Sequence, residues 1–414
     1  MDRRDRPCPA MPENLPHDPA ELQAQRTRVL LAGICSLILT VGLARFAYTP
    51  LLPIMREQAG LSYLAGGWLA TFNYMGYMSG ALLASWLGAL RHKFWLYRVG
   101  LVVALLSTAA MGLTHQLLPW LALRYVSGVS STAGLLLGSG LVLNWLMRHG
   151  QRPELGLHFT GIGLGIVVSG LAVAAMAPHL DWAAQWLALG LLGVVFFVPA
   201  WRWLPAPPAA PLPASHAAVA PAARSWMLLI TGAYFCAGFG YVISATFIVA
   251  IVQKFPMLAG KGGWVWVIVG LAATPSCFLW DRIARRHGEM PALLLAFWLQ
   301  VVSIVLPVLT TAASWNLLSA VLYGGTFVGI VSLTLTLIGR RFPGNPAKAM
   351  ARLTLSYGVA QIAAPAMAGS IAAATGSYRG ALVVAALVML AGMVLLEALR
   401  RQAARPGPDA TGAG

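Results

Sequence analysis

The chain has 414 residues, of which 58% are hydrophobic and only 10% charged, against roughly 25% charged in an ordinary soluble domain. A soluble fold of this size lacks the water-facing surface to carry so much apolar area, whereas hydrocarbon accepts it. The formal net charge of +16 excludes little by itself, but the basic residues fall in short runs between apolar stretches. No aromatic-and-basic surface of the kind that binds nucleic acid is present, so the charge reads as membrane topology.

Residues 1–27 form a charged, Pro-rich tail without the apolar core of a signal peptide, and Met1 and Met11 are both available as starts. Apolar runs of about 20 residues then predict helices at 28–54, 64–90, 96–113, 118–147, 155–177 and 183–203. The fourth, rich in Gly and Ser, is a candidate for a kink. Residues 204–225 are rich in Pro and Ala and read as a cytoplasmic linker. Six more helices follow at 226–252, 262–280, 289–312, 315–339, 351–374 and 380–399, and 401–414 is a cytoplasmic tail. The expected fold is an all-α integral membrane protein, with twelve transmembrane helices in two six-helix halves, 28–203 and 226–400, around a central cavity.

The basic residues test this count. With the N-terminus in the cytoplasm, 22 of the 28 Lys and Arg fall in the tails and inner loops and four (Arg56, Lys254, Lys261 and Arg379) in outer loops. The bias stays in phase across the loops only if the span count is right. The expectation is a multi-pass protein of the bacterial inner membrane with both termini cytoplasmic. Cys8, Cys35, Cys236 and Cys277 have no metal-ligand or disulfide spacing. Trp68, Trp120, Trp182, Trp201 and Trp203 are expected as interface anchors.

Several segments carry a resemblance. The stretches GLARFAYTPLLPIM (42–55) and WLATFNYMGYMSGALLASWL (68–87) resemble the YbfB/YjiJ-type branch of the major facilitator superfamily. Residues Trp280 to Gly288, with Asp281, Arg282, Arg285 and Arg286, are similar to the superfamily's Asp-Arg loop after helix eight. Arg124-Tyr125-Val126-Ser127-Gly128 is similar to its Arg-x-x-x-Gly pattern in helix four. The resemblance implies gating roles for Asp281, Arg282, Arg285, Arg286 and Gly128, and a cavity lined by helices one, four, seven and ten. The loop after helix two, Leu90-Arg91-His92-Lys93, lacks the family's Asp, and the fifth helix lacks the Gly-Pro pair of many antiporters.

The two remaining cations, Arg45 and Arg124, lie inside helices one and four. An arginine at mid-membrane costs on the order of 3 kcal/mol on insertion scales and should find a partner or face a watery cavity. All acidic residues lie in tails, loops or helix ends, so the partner is expected from the substrate, and arginine suits a carboxylate. The alternative is that each arginine caps backbone carbonyls at a helix break, Pro50 and Pro53 loosening the first helix, or snorkels outward. Tyr48 and Thr49 share a face with Arg45, and Ser131 with Arg124. Asn73 beside Tyr74 and Tyr77, Tyr234 and Tyr241 with Ser244, Tyr323 with Thr326, and Tyr357 with Gln361 complete the candidate substrate contacts, each also explicable by helix–helix hydrogen bonding. His158, near the inner end of helix five, is either a proton carrier or an interfacial histidine.

The leading function is secondary active transport of a small organic solute, an anion such as a carboxylate, by alternating access. Multidrug or metabolite efflux by antiport is the rival. A membrane enzyme would need an in-plane cluster of His, Asp, Glu or Cys, a pump would need a phosphate loop, and a sensor would need an output domain; none is visible. No cofactor or metal is expected. The partners are the bilayer, the small-molecule substrate and protons as the candidate coupling ion, and the chain is expected to be a monomer.

Overall fold

The computed structural model describes residues 19–152, 155–208, 224–341 and 346–404, and every regular element in them is helical. There are twelve long helices: α1 Pro19–Gln58, α2 Tyr63–Trp86, α3 Leu90–Leu113, α4 Leu117–Arg148, α5 Gly156–Met176, α6 Trp182–Arg202, α7 Arg224–Val252, α8 Gly262–His287, α9 Glu289–Leu309, α10 Ala313–Arg341, α11 Pro346–Thr375 and α12 Arg379–Ala404. Eleven are long and apolar enough to cross a membrane on composition alone. The exception, α2, carries no charge, but Gly, Tyr and Asn73 lower its mean hydropathy. An even number of crossings puts Pro19 and Ala404 at one end of the bundle, called here the terminal end; the other is the far end.

Several boundaries differ from those read off hydropathy. Helix α1 begins at Pro19, nine residues before the predicted start and inside the expected tail. Proline suits a first helical position, Glu21 favours the first turn's dipole, and Leu22 packs on the core. Helix α2 stops at Trp86, and Arg91, His92 and Lys93 lie in the first turn of α3 rather than in a loop. Residues 281–287 are helical too, so the expected Asp-Arg loop is the last two turns of α8. Ile283 and Ala284 keep that stretch packed. Arg285, Arg286 and His287 suit the negative end of its dipole, and Gly288, at φ +91°, ends it. The linker expected at 204–225 lies largely outside the described residues, as do the outermost tails and Cys8.

Helices α1 and α7 are the most buried, while α6 and α12 are the most exposed. Within the first half, α2 crosses α4 so closely that a Cβ on Gly128 would overlap the carbonyl of Asn73, and one on Gly76 that of Tyr125. The two halves meet along α2–α11, α5–α8 and the far part of α1 with α7. There Thr71 donates to the carbonyl of Ile362 at 3.0 Å, Trp266 to Ser169 at 3.2 Å, and Thr49 to the carbonyl of Ala245 at 2.5 Å.

Two helices are not regular throughout. Ile38–Phe46 in α1 and Ala133–Gly138 in α4 are π-helical, the second where the Gly/Ser content suggested a kink. The two irregular stretches face each other, with Gly134 against Thr40 and the carbonyl of Ser36.

The five tryptophans expected at the membrane interfaces differ in exposure. Trp68 and Trp203 are exposed, but Trp120 and Trp182 are buried. They pack edge to face, with ring centroids 5.4 Å apart, and Trp120 donates to the carbonyl of Met111. A buried indole N–H needs such an acceptor, and the last turn of α3 supplies it.

Candidate functional site

A cavity of about 200 Å³ lies between the halves. At mid-depth it is lined by Arg45 from α1, Tyr77 from α2, Tyr234 and Tyr241 from α7, Phe327 from α10, and Tyr357 and Gln361 from α11. It continues toward the terminal end past Leu135, Phe159, Cys277, Ser332, Leu335 and Thr354.

Toward the far end the halves are latched. Tyr63, at the start of α2, donates to the carbonyl of Gly376 at 3.0 Å, and Lys254 donates to both the Tyr63 hydroxyl and that carbonyl at 2.7 Å. Arg56 lies 3.3 Å from the Tyr63 ring centre, whose other neighbour is Tyr378 at 5.3 Å.

Among the described residues Arg45 is the one cation lining the cavity, and no acidic residue lines it. Its guanidinium carbon sits 4.4 Å from the ring centre of Tyr74 and 4.7 Å from that of Tyr77. These faces give cation–π attraction and the Tyr74 hydroxyl is within hydrogen-bond reach of the guanidinium, but Nε is buried without a hydrogen-bond partner among the described residues. Gln361 is placed the same way, with Oε1 buried and unpartnered.

Arg124, expected beside it as a second substrate contact, lies outside the cavity. Its Nη1 donates to the carbonyl of Ala44 at 3.1 Å, Nη2 to that of Arg45 at 3.3 Å, and Nε to that of Leu69 at 3.4 Å. Tyr48 covers its face at 4.5 Å. The cause is local. Pro50 has no N–H for the carbonyls four and five residues back, and the π-helical stretch of α1 ends there at Phe46. Ser127 and Ser131 serve the same stretch, donating to the carbonyls of Ala44 at 2.7 Å and Thr40 at 3.0 Å. In this conformation the carbonyl-capping alternative describes Arg124, while Arg45 has no such bonds.

Of the other candidate contacts, Tyr77, Tyr234, Tyr241, Tyr357 and Gln361 line the cavity, and the rest do not. Tyr48 donates to the carbonyl of Gly66 at 2.8 Å, and Thr49 belongs to the α1–α7 contact. Asn73 clamps α2 to α4 by donating to the carbonyl of Arg124 at 2.9 Å. Ser131 is committed to Thr40 as above. Tyr323 stands behind Tyr241 and donates to its carbonyl at 3.3 Å, and Thr326 donates to Gln300. Each is a polar group on an apolar helix, and a neighbouring helix satisfied it before a solute could.

Among the lining residues that sequence reasoning left out are Phe46, Phe159 and Phe327. They carry no polar atom to flag them, and the i, i+4 spacing of Tyr323 and Phe327 was the available signal. Ser332 and Thr354 are polar but sit toward helix ends, where a serine or threonine draws no attention.

The motif residues fall away from the cavity. Asp281 and Arg285 form an ion pair along α8, and both are well exposed, as are Arg282 and Arg286. Beside them Arg340 of α10 pairs with Glu289 of α9 at 2.8 Å. Gly128 serves the α2–α4 crossing described above. His158, in the first turn of α5, is fully buried between α1, α4 and α5, 2.8 Å from the hydroxyl of Ser139, with Nδ1 unpartnered beside Gly33.

Twelve helices packed as two groups around a central cavity are a fold that the described residues share with several solved structures. The nucleoside transporter NupG matches with a TM-score of 0.70 at 12% identity, over 91% of this chain and 99% of that one, and a point mutant of NupG with 0.72 at the same identity and coverage. A bacterial homologue of the human lysosomal transporter Spinster, in an inward-facing and unoccupied conformation, matches with 0.67 at 14% identity, over 93% of this chain and 99% of that one. At such identities the likeness is one of fold. Sequence supplies the family: residues 37–397 match the family described as "Uncharacterised MFS-type transporter YbfB", and the chain belongs to that family of the major facilitator superfamily. It is therefore a membrane transporter and not an enzyme. No curated protein matches the chain by sequence.

Proposed function

We propose that the protein is a secondary transporter that moves a small organic anion, a carboxylate, across the bacterial inner membrane by alternating access. Arg45 carries the reading: a buried cation on the wall of the central cavity, with an unpartnered Nε and no acidic residue beside it among the described residues. An unpaired charge at that depth costs on the order of 3 kcal/mol, and an anionic solute offsets it while it is bound. Arginine's forked donors suit a carboxylate's two oxygens. The same charge argues against efflux of cationic amphipaths.

The excess of Lys and Arg in the tails and alternate loops supports cytoplasmic termini. The cavity then extends toward the cytoplasm while the far-end latch is closed, which supports an inward-facing state. In this reading the six-helix halves, 28–203 and 226–400, rock against each other along α2–α11 and α5–α8, within one monomer. If protons drive the cycle, the solute's carboxylate and Arg45 carry the linkage, because no acidic side chain among the described residues lines the cavity.

The test is uptake of radiolabelled monocarboxylates into proteoliposomes under an imposed pH gradient. Losing one partner of a desolvated charge pair costs about 2–5 kcal/mol, so Arg45→Gln should cut uptake about thirtyfold or more with its unfolding temperature unchanged. Wild-type uptake by a folded Arg45→Gln protein would sink the proposal.

A further inference from the structure

The wall opposite Arg45's helix is built of rings. Tyr241 of α7 and Phe327 of α10 lie with centroids 5.3 Å apart and planes 21° apart, and Tyr241 and Tyr357 of α11 at 5.8 Å and 26°. Tyr234 continues the series against Tyr357 at 4.6 Å and 33°. All four line the cavity. Behind them Tyr323 stacks on Phe327 at 5.2 Å and 13°, and fixes its position through its hydrogen bond to the Tyr241 carbonyl. Three helices thus hold one near-parallel aromatic surface, stiffened from the rear. For a flexible aliphatic solute, leucine and valine would pack as well. Rings in this arrangement favour a flat, polarisable partner that can stack or meet them edge-on.

Three further observations narrow the partner. Arg45 is the single cation on the wall among the described residues, and its guanidinium is boxed in by Tyr74 and Tyr77. A second carboxylate on the solute would be buried without a countercharge, which is strongly unfavourable. The volume of about 200 Å³ lies below the range of roughly 300–1,000 Å³ typical of drug-sized ligands, so it suits one ring or a fused pair. Finally, Gln361 Oε1 is an unpartnered buried acceptor on the wall that holds Tyr357, and it suits a ring hydroxyl or N–H on the solute.

Resting on the anion reading above, we infer that the cargo is an aromatic monocarboxylate, its carboxylate on Arg45 and its ring against Tyr241, Phe327 and Tyr357. The orientation follows from geometry, since the charge and the rings belong to opposite halves of the protein. A solute bound this way bridges the halves, so both must adjust when it leaves.

A two-by-two set of probes separates charge from aromaticity: benzoate, cyclohexanecarboxylate, benzamide and cyclohexanecarboxamide, titrated against the purified full chain by calorimetry. Benzoate should bind about tenfold more tightly than cyclohexanecarboxylate, the scale of ring–ring packing beyond burial of area. It should also exceed benzamide, and the dianion phthalate should not bind. 4-Hydroxybenzoate and indole-3-acetate extend the aromatic arm to a ring hydroxyl and a fused ring. If cyclohexanecarboxylate matches the aromatic acids, or binds while none of them does, the aromatic inference is overturned and the anion reading stands. If benzamide matches benzoate, or no carboxylate binds, the anion reading fails and takes this inference with it. Phe327→Leu and Tyr241→Leu, each checked for a native unfolding temperature, should bring the ratio of benzoate to cyclohexanecarboxylate affinity toward one. A ratio unchanged in both variants also overturns the inference.

Discussion

Arg45 and Arg124 differ in one respect that decides what each can do. Both are buried, and they are neighbours, since Arg124 donates to the backbone carbonyl of Arg45 itself. Yet Arg124 spends its donors on three carbonyls and lies beneath Tyr48, while Arg45 has ring faces around it and an unpartnered Nε. Membrane depth and burial do not tell the two apart; the inventory of acceptors does. Pro50 and the π-helical stretch leave α1 with carbonyls to satisfy, and the nearest strong donor on α4 is drawn into that repair. The other arginine, on the same helix as the defect, cannot reach back to mend it and is left for something that arrives from outside.

The sharpest way to break this comparison is to remove each arginine in turn. Arg124→Ala takes the side-chain donor from the carbonyls of Arg45 and Leu69, while Ser127 still serves that of Ala44. Each orphaned buried acceptor costs about 1–3 kcal/mol, so a loss of about 3 kcal/mol or more is expected, read as a lower unfolding temperature in detergent without any ligand. Arg124→Lys keeps the charge but replaces a fork with a point, and should fall between wild type and alanine. Arg45→Ala removes no backbone cap, only the contacts with the Tyr74 and Tyr77 side chains, so its stability should stay within about 1 kcal/mol of wild type while anion binding is lost. The opposite pattern, a fragile Arg45→Ala and a sturdy Arg124→Ala, would reverse the assignment.

The same contrast explains what was legible in the sequence. The helices were, because lipid demands long apolar runs with paired backbones and the loops carry their charge in phase. The π-helical stretches were not, beyond a hint of a kink in α4, because they arise from the mutual fit of α1 and α4. Without them the polar residues of those helices could be located but not sorted. Asn73, Ser131 and Arg124 look like a polar seam facing a cavity, and instead hold α1, α2 and α4 together. In the second half Tyr234, Tyr241 and Gln361 do reach the cavity, and the phenylalanines beside them gave no polar signal. Charge marked Arg45 correctly as unusual, but only packing distinguished it from Arg124.

Packing around the Arg124 cluster gives the next effect in size. Gly128 lies one turn beyond Arg124 on α4, where a Cβ would overlap the carbonyl of Asn73. Gly128→Ala must push α2 off α4 and loosen the clamp from Asn73, at a cost of about 1–3 kcal/mol. Gly140, farther along the same helix, has open space where its Cβ would stand. Gly140→Ala should raise stability by up to about 1 kcal/mol through helix propensity alone. A pair of unfolding curves separates the two, and equal effects would mean that the crossing is not as tight as the distances say.

The smallest effect belongs to the far-end latch, where the partners are exposed. Tyr63→Phe keeps the ring under Arg56 and against Tyr378 but removes the hydroxyl that donates to Gly376 and accepts from Lys254. Two solvent-exposed bonds of this sort contribute on the order of 1 kcal/mol together, so the balance between closed and open far ends should move only about fivefold. Spin labels on Ala59 and Lys261, at the far ends of α1 and α8 on the two halves, would report a growing population at longer distance. Because the latch and Arg45 sit at different depths, Tyr63→Phe should change how often the far end opens while the discrimination between benzoate and benzamide stays the same. If selectivity shifts along with opening, the latch and the arginine belong to one coupled device, and the division between a gate that moves and a charge that recognises has to be given up.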